Sequence, residues 1–438
     1  MKTRRFVTLA GLALGPVLVL VVFFVLPVSG MISQGFFVDG SFDPAGVAEV
    51  LARPRTHRVL WFTVWSAGLA TVCSLLLGLP AAYVLHRLAF PFRGIIRALL
   101  LVPFVLPTVV VGVAFRLLVG ESGPLGFLGL DGTPVAIIAG LTFFNVAVVI
   151  RAVGATWESL DPRPGEAAAA LGATPAQVFR TITFPALRPA LVGAASVVFL
   201  FCATSFGVVL TLGGLRYSSV ETEIYLLTTQ LLDLQAAAAL SILQLLAVTA
   251  LLVLVGRLRA VPDPTVERRT AHPRRPRRQD AVQVGLTLLV LALVAAPILT
   301  LLVGSLRADD AWTLENYRRL TTVGEGNALL VPVSDALVTS LRTAVDATWM
   351  SLLLGGSIAV VVSRRSLTRG ERRLRGTLDG FFMLPLGVSA VTLGFGFLIT
   401  LDQPPFDFRD SPLLVPVAQA LVALPLVEIG RASCRERV

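Results

Sequence analysis

The residues best suited to a specific function form a polar stretch, residues 160–185, between two apolar segments of the chain. Asp161 is placed to cap a short helix, and Glu166 puts an acid in its first turn, where the helix dipole favours it. Gly172 can adopt the left-handed conformation that ends such a helix. The stretch is therefore predicted to begin with a capped helix and a glycine hinge.

A second short helix is predicted directly after the hinge. Thr174 and Gln177 have the spacing of a capping box, and Pro175 falls at the first helical position. One apolar face at helical spacing is formed by Val178, Phe179 and Ile182. Pro185 is expected to end this helix. The two helices and their hinge predict a compact knob on the membrane surface, suited to a groove on a partner protein.

The composition of the whole chain is that of a membrane protein. Its 438 residues are 55% hydrophobic and 15% charged, and the mean hydropathy is +0.81. These values predict an all-α, polytopic membrane protein. The net charge of +10 comes from basic residues in short loops, which indicates topology determinants rather than nucleic-acid contacts. The sequence contains no phosphate loop, metal-ligand cluster, nucleophile elbow or pair of catalytic carboxylates, so any ATP hydrolysis requires another chain.

Ten apolar segments predict membrane-spanning helices. They lie at about 6–28, 59–85, 96–119, 135–153, 190–212, 235–255, 282–306, 336–362 and 377–401, with the last beginning near 413. The arginine-dense loops between them fall on one side, which the positive-inside rule assigns to the cytoplasm together with the N-terminus. The third segment contains Pro103 and Pro107, which are expected to bend it.

The two halves of the chain share an internal repeat. Ser74–Gly78 recurs as Ser351–Gly355, and Pro103, Gly112 and Phe115 recur as Pro385, Gly394 and Phe397. Two matches in the same order around a basic linker indicate tandem six-helix repeats. We therefore divide the chain into a first repeat (1–256), a cytoplasmic linker (257–280) and an incomplete second repeat (281–427).

The end of the sequence departs from this pattern. Charged residues in 428–438 interrupt the apolar segment that begins near 413, so we expect this tail to be non-native. The first repeat predicts that the native chain continues for roughly 100 residues and includes a second copy of the 160–185 stretch. We expect the polypeptide as written not to transport.

Five polar residues inside the apolar segments are candidates for lining a passage or for joining helices. They are Asn145, Thr204, Ser205, Arg342 and Asp346. Arg342 precedes Asp346 by one helical turn, and a structural ion pair between them is predicted.

The 160–185 stretch resembles the "EAA" motif of binding-protein-dependent ABC importer permeases. Glu166, Ala167, Ala168, Gly172 and Pro185 fill that pattern. The resemblance implies that this loop is cytoplasmic and docks into an ATPase subunit. The residues it assigns to coupling are Glu166, Ala167, Ala168, Gly172, Val178, Phe179, Ile182 and Pro185.

The fused arrangement of two repeats resembles the permeases of the ferric-iron and thiamine importers. This resemblance implies a bacterial inner-membrane permease that works by alternating access, with iron(III) or thiamine favoured as cargo and other small anions or polyamines as alternatives. The implied partners are two copies of a cytoplasmic ATPase, which bind the ATP, and an outer substrate-binding protein. No cofactor, metal or nucleic acid is implied for the chain itself.

Two other classes of function are compatible with parts of the sequence. An ion-coupled secondary transporter would explain the hydrophobicity and the repeat, with Asp346 as its ion site. A membrane scaffold for another enzyme is a third class. Neither explains the 160–185 stretch.

Overall fold

The computed structural model confirms an all-α, polytopic chain. It describes residues 2–38, 41–214, 216–258, 273–308, 311–323, 330–363, 378, 381–382, 385, 388–402 and 407–435. Within these residues, seven helices are long and apolar enough to cross a membrane, and one strongly bent pair of helices makes an eighth if it forms a single span.

Helices account for most of the described chain. In order, they are α1 (Lys2–Leu20), α2 (Leu26–Phe36), α3 (Pro44–Ala52), α4 (Pro54–Arg87), α5 (Arg93–Leu99), α6 (Val102–Val105), α7 (Thr108–Val119), α8 (Pro134–Ser159), α9 (Arg163–Ala170), α10 (Pro175–Val178), α11 (Phe184–Ala203), α12 (Gly207–Gly213), α13 (Val220–Thr229), α14 (Leu234–Leu258), α15 (Ala281–Ser305), α16 (Glu315–Arg318), α17 (Val333–Ser363), α18 (Ala390–Thr400) and α19 (Leu414–Arg435). Two short hairpins pair β1 (Phe37–Val38) with β2 (Ser41–Phe42) and β3 (Arg307–Ala308) with β4 (Ala311–Trp312). Each hairpin follows the first spanning helix of a sequence repeat.

The helices form two compact units. The first unit comprises Met1–Arg53, Glu223–Thr249 and Ala308–Val438, and the second comprises Pro54–Thr222 and Ala250–Arg307. The predicted repeat boundaries follow the chain, whereas each packing unit combines segments from both repeats.

The second unit is built around α4, α8 and α11, with α7, α12 and α15 packed on them. Small residues allow these helices to approach closely. A Cβ atom on Gly78 of α4 would lie 2.7 Å from Cγ1 of Val149 on α8, and one on Gly140 would lie 3.0 Å from Cγ1 of Val208 on α12. Such close packing drives the association of helices in a bilayer, where the hydrophobic effect between helices is weak.

The first unit packs α1 and α2 against helices of the second repeat. Contacts join α1 to α17 and α2 to α18. The ring of Phe23 lies 6.2 Å from that of Phe397 and 5.5 Å from that of Phe408. In the second unit, α15 in turn packs on α4 and α7 of the first repeat. The first helix of each sequence repeat therefore packs on the other repeat.

Two predicted spanning helices are broken. The third predicted segment divides into α5, α6 and α7, with a bend of 102° at the break before Thr108. Leu106 is extended, with φ −65° and ψ 137°, because the ring of Pro107 disfavours a helical conformation in the preceding residue. The fifth predicted segment ends at Ala203 and resumes at Gly207. The predicted bend of the third segment is confirmed, whereas the break in the fifth segment was not predicted.

The repeat is visible in helix positions as well as in sequence. Ala390, the first residue of α18, follows Thr108, the first residue of α7, by the same spacing that relates Pro385 to Pro103. Ser389 caps α18 by accepting a hydrogen bond from the Thr392 amide at 3.0 Å. Both repeats thus begin a short helix at the same point.

Candidate functional site

The first helix of the 160–185 loop is α9, which begins one residue later than predicted. Pro162 occupies the N-cap position, and the carboxylate of Asp161 accepts a hydrogen bond from the Arg163 amide at 3.0 Å. Glu166 lies in the first turn, as predicted. Asp161 therefore still satisfies one of the free amides at the helix start.

The hinge at Gly172 is confirmed. Its φ is +91°, in the region that favours glycine. The Gly172 amide donates to the Ala169 carbonyl at 3.0 Å, and the Ala173 amide donates to the Ala168 carbonyl at 3.0 Å. These two hydrogen bonds form a Schellman motif, which satisfies carbonyls that the helix end would otherwise leave unpaired.

The capping box that starts the second helix is also confirmed. The Gln177 amide donates to Thr174 Oγ1 at 3.3 Å, and the Thr174 amide donates to Gln177 Oε1 at 2.8 Å. Pro185, in contrast, does not end this helix. A π-helical turn, Phe179–Thr183, joins α10 to α11, and the helical chain continues to Ala203. The wider turn changes the hydrogen-bond register just before proline, which has no amide hydrogen to donate.

The loop exposes apolar side chains, as expected of a surface that contacts lipid or a partner protein. Leu171 is 90% exposed, Phe184 is 43% exposed and Phe179 is 37% exposed. Leu171 was not among the predicted site residues. The signal available for it was its position as an apolar residue just before a helix-ending glycine. Of the predicted site residues, Glu166, Ala167, Gly172, Phe179 and Pro185 are exposed, and Ala168, Val178 and Ile182 are half-buried. The assignment of these residues to coupling remains a prediction.

The two helices of the loop are held against each other and against the end of α8. A Cβ atom on Gly165 would lie 3.3 Å from Cγ1 of Val178, so the two helices are in close contact there. The ring of Phe179 lies 6.1 Å from that of Trp157, and the ring of Trp157 lies 5.3 Å from that of Tyr83 on α4. Aromatic side chains therefore connect the loop to the membrane helices.

Glu158, the residue after Trp157, is held by a charged cluster. Glu158 Oε2 lies 2.8 Å from His86 Nδ1 and 3.5 Å from Arg97 Nη1. The buried His86 ring packs directly against the backbone of Gly154, where a Cβ atom would overlap it. We call Trp157 and Glu158 the loop stem. No local sequence pattern pointed to the stem, because its partners are distant in the chain.

Comparison with known proteins decides the family. Residues 74–268 match the family model described as binding-protein-dependent transport system inner membrane component. The thiamine transport system permease protein ThiP of Brucella abortus is 32% identical over 400 residues, which cover 88% of this chain and 70% of that protein. The chain belongs to the binding-protein-dependent permeases of ABC importers. The resemblance seen in the sequence is confirmed at this level.

Two further comparisons agree with this membership. The sulfate transport system permease protein CysT of Salmonella typhimurium is 29% identical to this permease over 260 residues, covering 58% of the chain and 92% of CysT. The fold is similar to that of a bacterial ABC transporter involved in the import of the acidic polysaccharide alginate, with a TM-score of 0.52 and 16% identity over 59% of this chain and 96% of that one. The relatives are transport permeases rather than enzymes, and this chain is a multi-pass membrane permease.

Among the predicted polar residues of the permease, Asn145 joins two helices. Asn145 Nδ2 donates to the Leu141 carbonyl at 2.9 Å and to Cys202 Sγ at 3.3 Å, which links α8 to α11. Thr204 and Ser205 lie in the break that follows α11. Thr204 Oγ1 donates back to the Leu200 carbonyl at 2.9 Å.

The prediction of an ion pair between Arg342 and Asp346 was wrong. It is absent from the ion pairs of the described residues, and Asp346 Oδ1 instead accepts a hydrogen bond from Trp349 Nε1 at 3.2 Å. An arginine one turn before an aspartate is the less favourable order for a helical ion pair. Trp349, three residues after Asp346, lies on the same side of the helix and competes for the carboxylate.

Proposed function

We propose that this permease imports thiamine, using ATP hydrolysed by two cytoplasmic ATPase subunits and cargo delivered by an outer binding protein. The single observation that supports this cargo is the extent of the similarity to ThiP. It runs through 88% of the chain, whereas the similarity to CysT covers 58%. Iron(III), which the sequence alone also favoured, is the second candidate.

The exposed loop supports the proposed contact with the ATPase. Its exposed apolar residues lie at the end of α9, in the π-helical turn and at the start of α11. Because these positions are held by regular hydrogen bonds, the surface can fit a groove without a large loss of conformational entropy on binding. Leu171 is the most exposed of them. In the proposed mechanism, movement of the ATPase subunits displaces the 160–185 loop, and the aromatic contacts at Trp157 carry that displacement into α4 and α8.

The proposed orientation has the 160–185 loop and the N-terminus in the cytoplasm. The arginine-dense loops support it, because basic residues are retained on the cytoplasmic side during insertion. ATP is proposed to bind to the partner subunits, since the sequence has no phosphate loop.

Uptake by cells tests the proposed cargo. The permease gene would be deleted at its native locus, and initial uptake of labelled thiamine and labelled iron(III) would be compared with that of the parent strain. We expect the deletion to abolish high-affinity thiamine uptake and leave iron(III) uptake unchanged. A Gly172→Leu strain, in which the partner proteins are still produced, serves as the matched control for loss of coupling. Loss of iron(III) uptake with thiamine uptake intact would exclude the thiamine proposal.

A further inference from the structure

The start of α15 is held by a completely hydrogen-bonded carboxylate. Asp280 is 3% exposed and precedes the first residue of the helix. Its Oδ1 accepts from Tyr83 OH at 3.0 Å and from Arg274 Nη2 at 2.7 Å. Its Oδ2 accepts from Arg274 Nη1 at 2.8 Å and from the Arg277 amide at 2.7 Å. Both oxygens therefore use both of their lone pairs, so the carboxylate has one defined position.

The backbone of the linker is attached at the same place. The Arg274 amide donates to the Arg87 carbonyl at 3.0 Å, and the Ala89 amide donates to the Arg274 carbonyl at 2.7 Å. These bonds form a short parallel bridge between the end of the linker and the residues that follow α4. The last part of the linker is thus fixed to the first repeat rather than merely tethered to it.

Tyr83 belongs to this arrangement and also contacts the loop stem. Its hydroxyl accepts from Arg274 Nη2 at 2.5 Å while it donates to Asp280. Its ring lies 5.3 Å from that of Trp157, which in turn contacts Phe179 of the 160–185 loop. A continuous set of contacts therefore runs from the loop to the first residue of α15.

The position of α15 requires such a fixed point. Its sequence, from Ala281 to Ser305, is apolar on most sides, so most of its lipid-facing and protein-facing residues are chemically similar. Packing against α4 and α7 therefore provides little resistance to sliding or rotation within the bilayer. A buried ion pair adds little net stability, but it can specify one arrangement among several of similar energy.

We propose that Tyr83, Arg274 and Asp280 form a linker clamp that holds the start of α15 in register with the 160–185 loop, so that displacement of the loop also moves α15. The clamp residues are positioning residues, because they act through Trp157 and α15 rather than by touching cargo. The inference rests on the proposed function, since it assumes that the loop binds the ATPase.

The test compares Tyr83→Phe with Tyr217→Phe in the permease expressed from its native locus, purified with its ATPase and reconstituted in lipid discs and vesicles. Tyr83→Phe removes the hydroxyl of the clamp and keeps the ring that contacts Trp157. Tyr217 provides the matched control, because its ring stacks on Phe62 at 5.5 Å and its hydroxyl makes no hydrogen bond within the described residues. Arg274→Lys is a second variant that keeps the charge and loses the paired contact with Asp280.

Two quantities are measured, with and without a non-hydrolysable ATP analogue. The first is the rate of tryptic cleavage after Arg277 and Arg278, which reports release of the linker. The second is the amount of thiamine transported per ATP hydrolysed. In the wild type, nucleotide binding should change the cleavage rate. In Tyr83→Phe, cleavage should be about tenfold faster and independent of nucleotide, as expected for the loss of a hydrogen bond to a charged group. Thiamine transported per ATP should fall as well.

The outcomes separate the clamp from the proposed function. If the ATPase remains bound and Tyr83→Phe behaves like Tyr217→Phe in both measurements, the clamp proposal is overturned and the proposed function is not. If the wild-type permease fails to retain an ATPase, the proposed function fails and the clamp proposal fails with it. A nucleotide-independent cleavage rate in the wild type would also overturn the clamp proposal, because a purely structural linker contact gives that result.

Discussion

A single methyl group at Gly172 should disturb the 160–185 loop through its backbone alone. A Cβ atom built on this glycine meets nothing within 4 Å, so neighbouring atoms do not oppose it. The φ of +91° is the obstacle, because residues with a Cβ atom rarely adopt that conformation. The cost for an L-residue in the left-handed region is about 1–2 kcal/mol. This corresponds to roughly a 5- to 30-fold change in an equilibrium constant.

Hydrogen exchange and ATPase binding measure this effect separately. In Gly172→Ala, the Ala173 amide, which donates to the Ala168 carbonyl, should lose protection by about the same factor. If the loop binds the ATPase as proposed, the affinity for that subunit should fall by a similar factor. Gly94→Ala is the matched control, because its Cβ atom also meets nothing within 4 Å and its φ lies outside the left-handed range.

Gly172→Asn distinguishes backbone strain from steric bulk. Asparagine is larger than alanine but tolerates the left-handed conformation, so it should be the milder substitution. If Gly172→Asn is more damaging than Gly172→Ala, or if Gly172→Ala is no worse than Gly94→Ala, the strain argument is refuted. Loss of amide protection without loss of ATPase affinity would leave the hinge intact as a structural feature and remove its role in coupling.

Further predictions concern the orientation of the chain, the loop stem and an ion pair in the first unit. A single cysteine at Ala173, in a chain whose native cysteines have been replaced, should not react with an impermeant reagent added outside; rapid labelling would reverse the orientation. Gly154→Ala should lower the thermal midpoint in detergent, since the methyl group overlaps the buried His86 ring, at a cost of about 1–3 kcal/mol. The same substitution should cost less in a His86→Ala background, and an equal cost in both backgrounds would contradict the packing argument. Partial burial raises the pKa of Asp233, but hydrogen bonds from Arg53 and a backbone amide lower it below the ordinary value of 3.8 overall. At pH values above the ordinary pKa, the Arg53–Asp233 ion pair should therefore add about 0.2–1 kcal/mol to the free energy of unfolding. This contribution should be lost as the pH falls through the lowered pKa. Asp233→Asn should remove that acid dependence in thermal melts, and an unchanged profile would contradict the prediction.

The sequence by itself was sufficient for features that depend on neighbours along the chain. The glycine hinge and the Thr174–Gln177 capping box are formed by residues within five positions of each other, so the local pattern predicted them correctly. The spanning helices followed from hydropathy, because a bilayer accepts long apolar segments only as helices or closed barrels. The repeat followed from matched spacing in the two halves.

The same local rules failed where packing competes with them. The hydropathy pattern predicted one continuous helix over 190–212, although the folded chain is broken between Ala203 and Gly207. It paired Arg342 with Asp346, but Trp349 takes the carboxylate. Pro185 was read as a helix end, and the π-helical turn before it lets the chain continue. In each case a nearby residue or an altered hydrogen-bond register gave an alternative that a linear pattern does not distinguish.

Tertiary structure alone decided the contacts between distant residues. The hydrogen bonds between His86 and Glu158 and between Tyr83 and Asp280 join residues 72 and 197 positions apart. The helices that carry them are apolar on most sides, so hydropathy does not say which helix packs on which, nor that the first helix of each repeat packs on the other. Those choices depend on the fit of small residues such as Gly78 and Gly154 against specific partners, which becomes defined only when the helices are assembled.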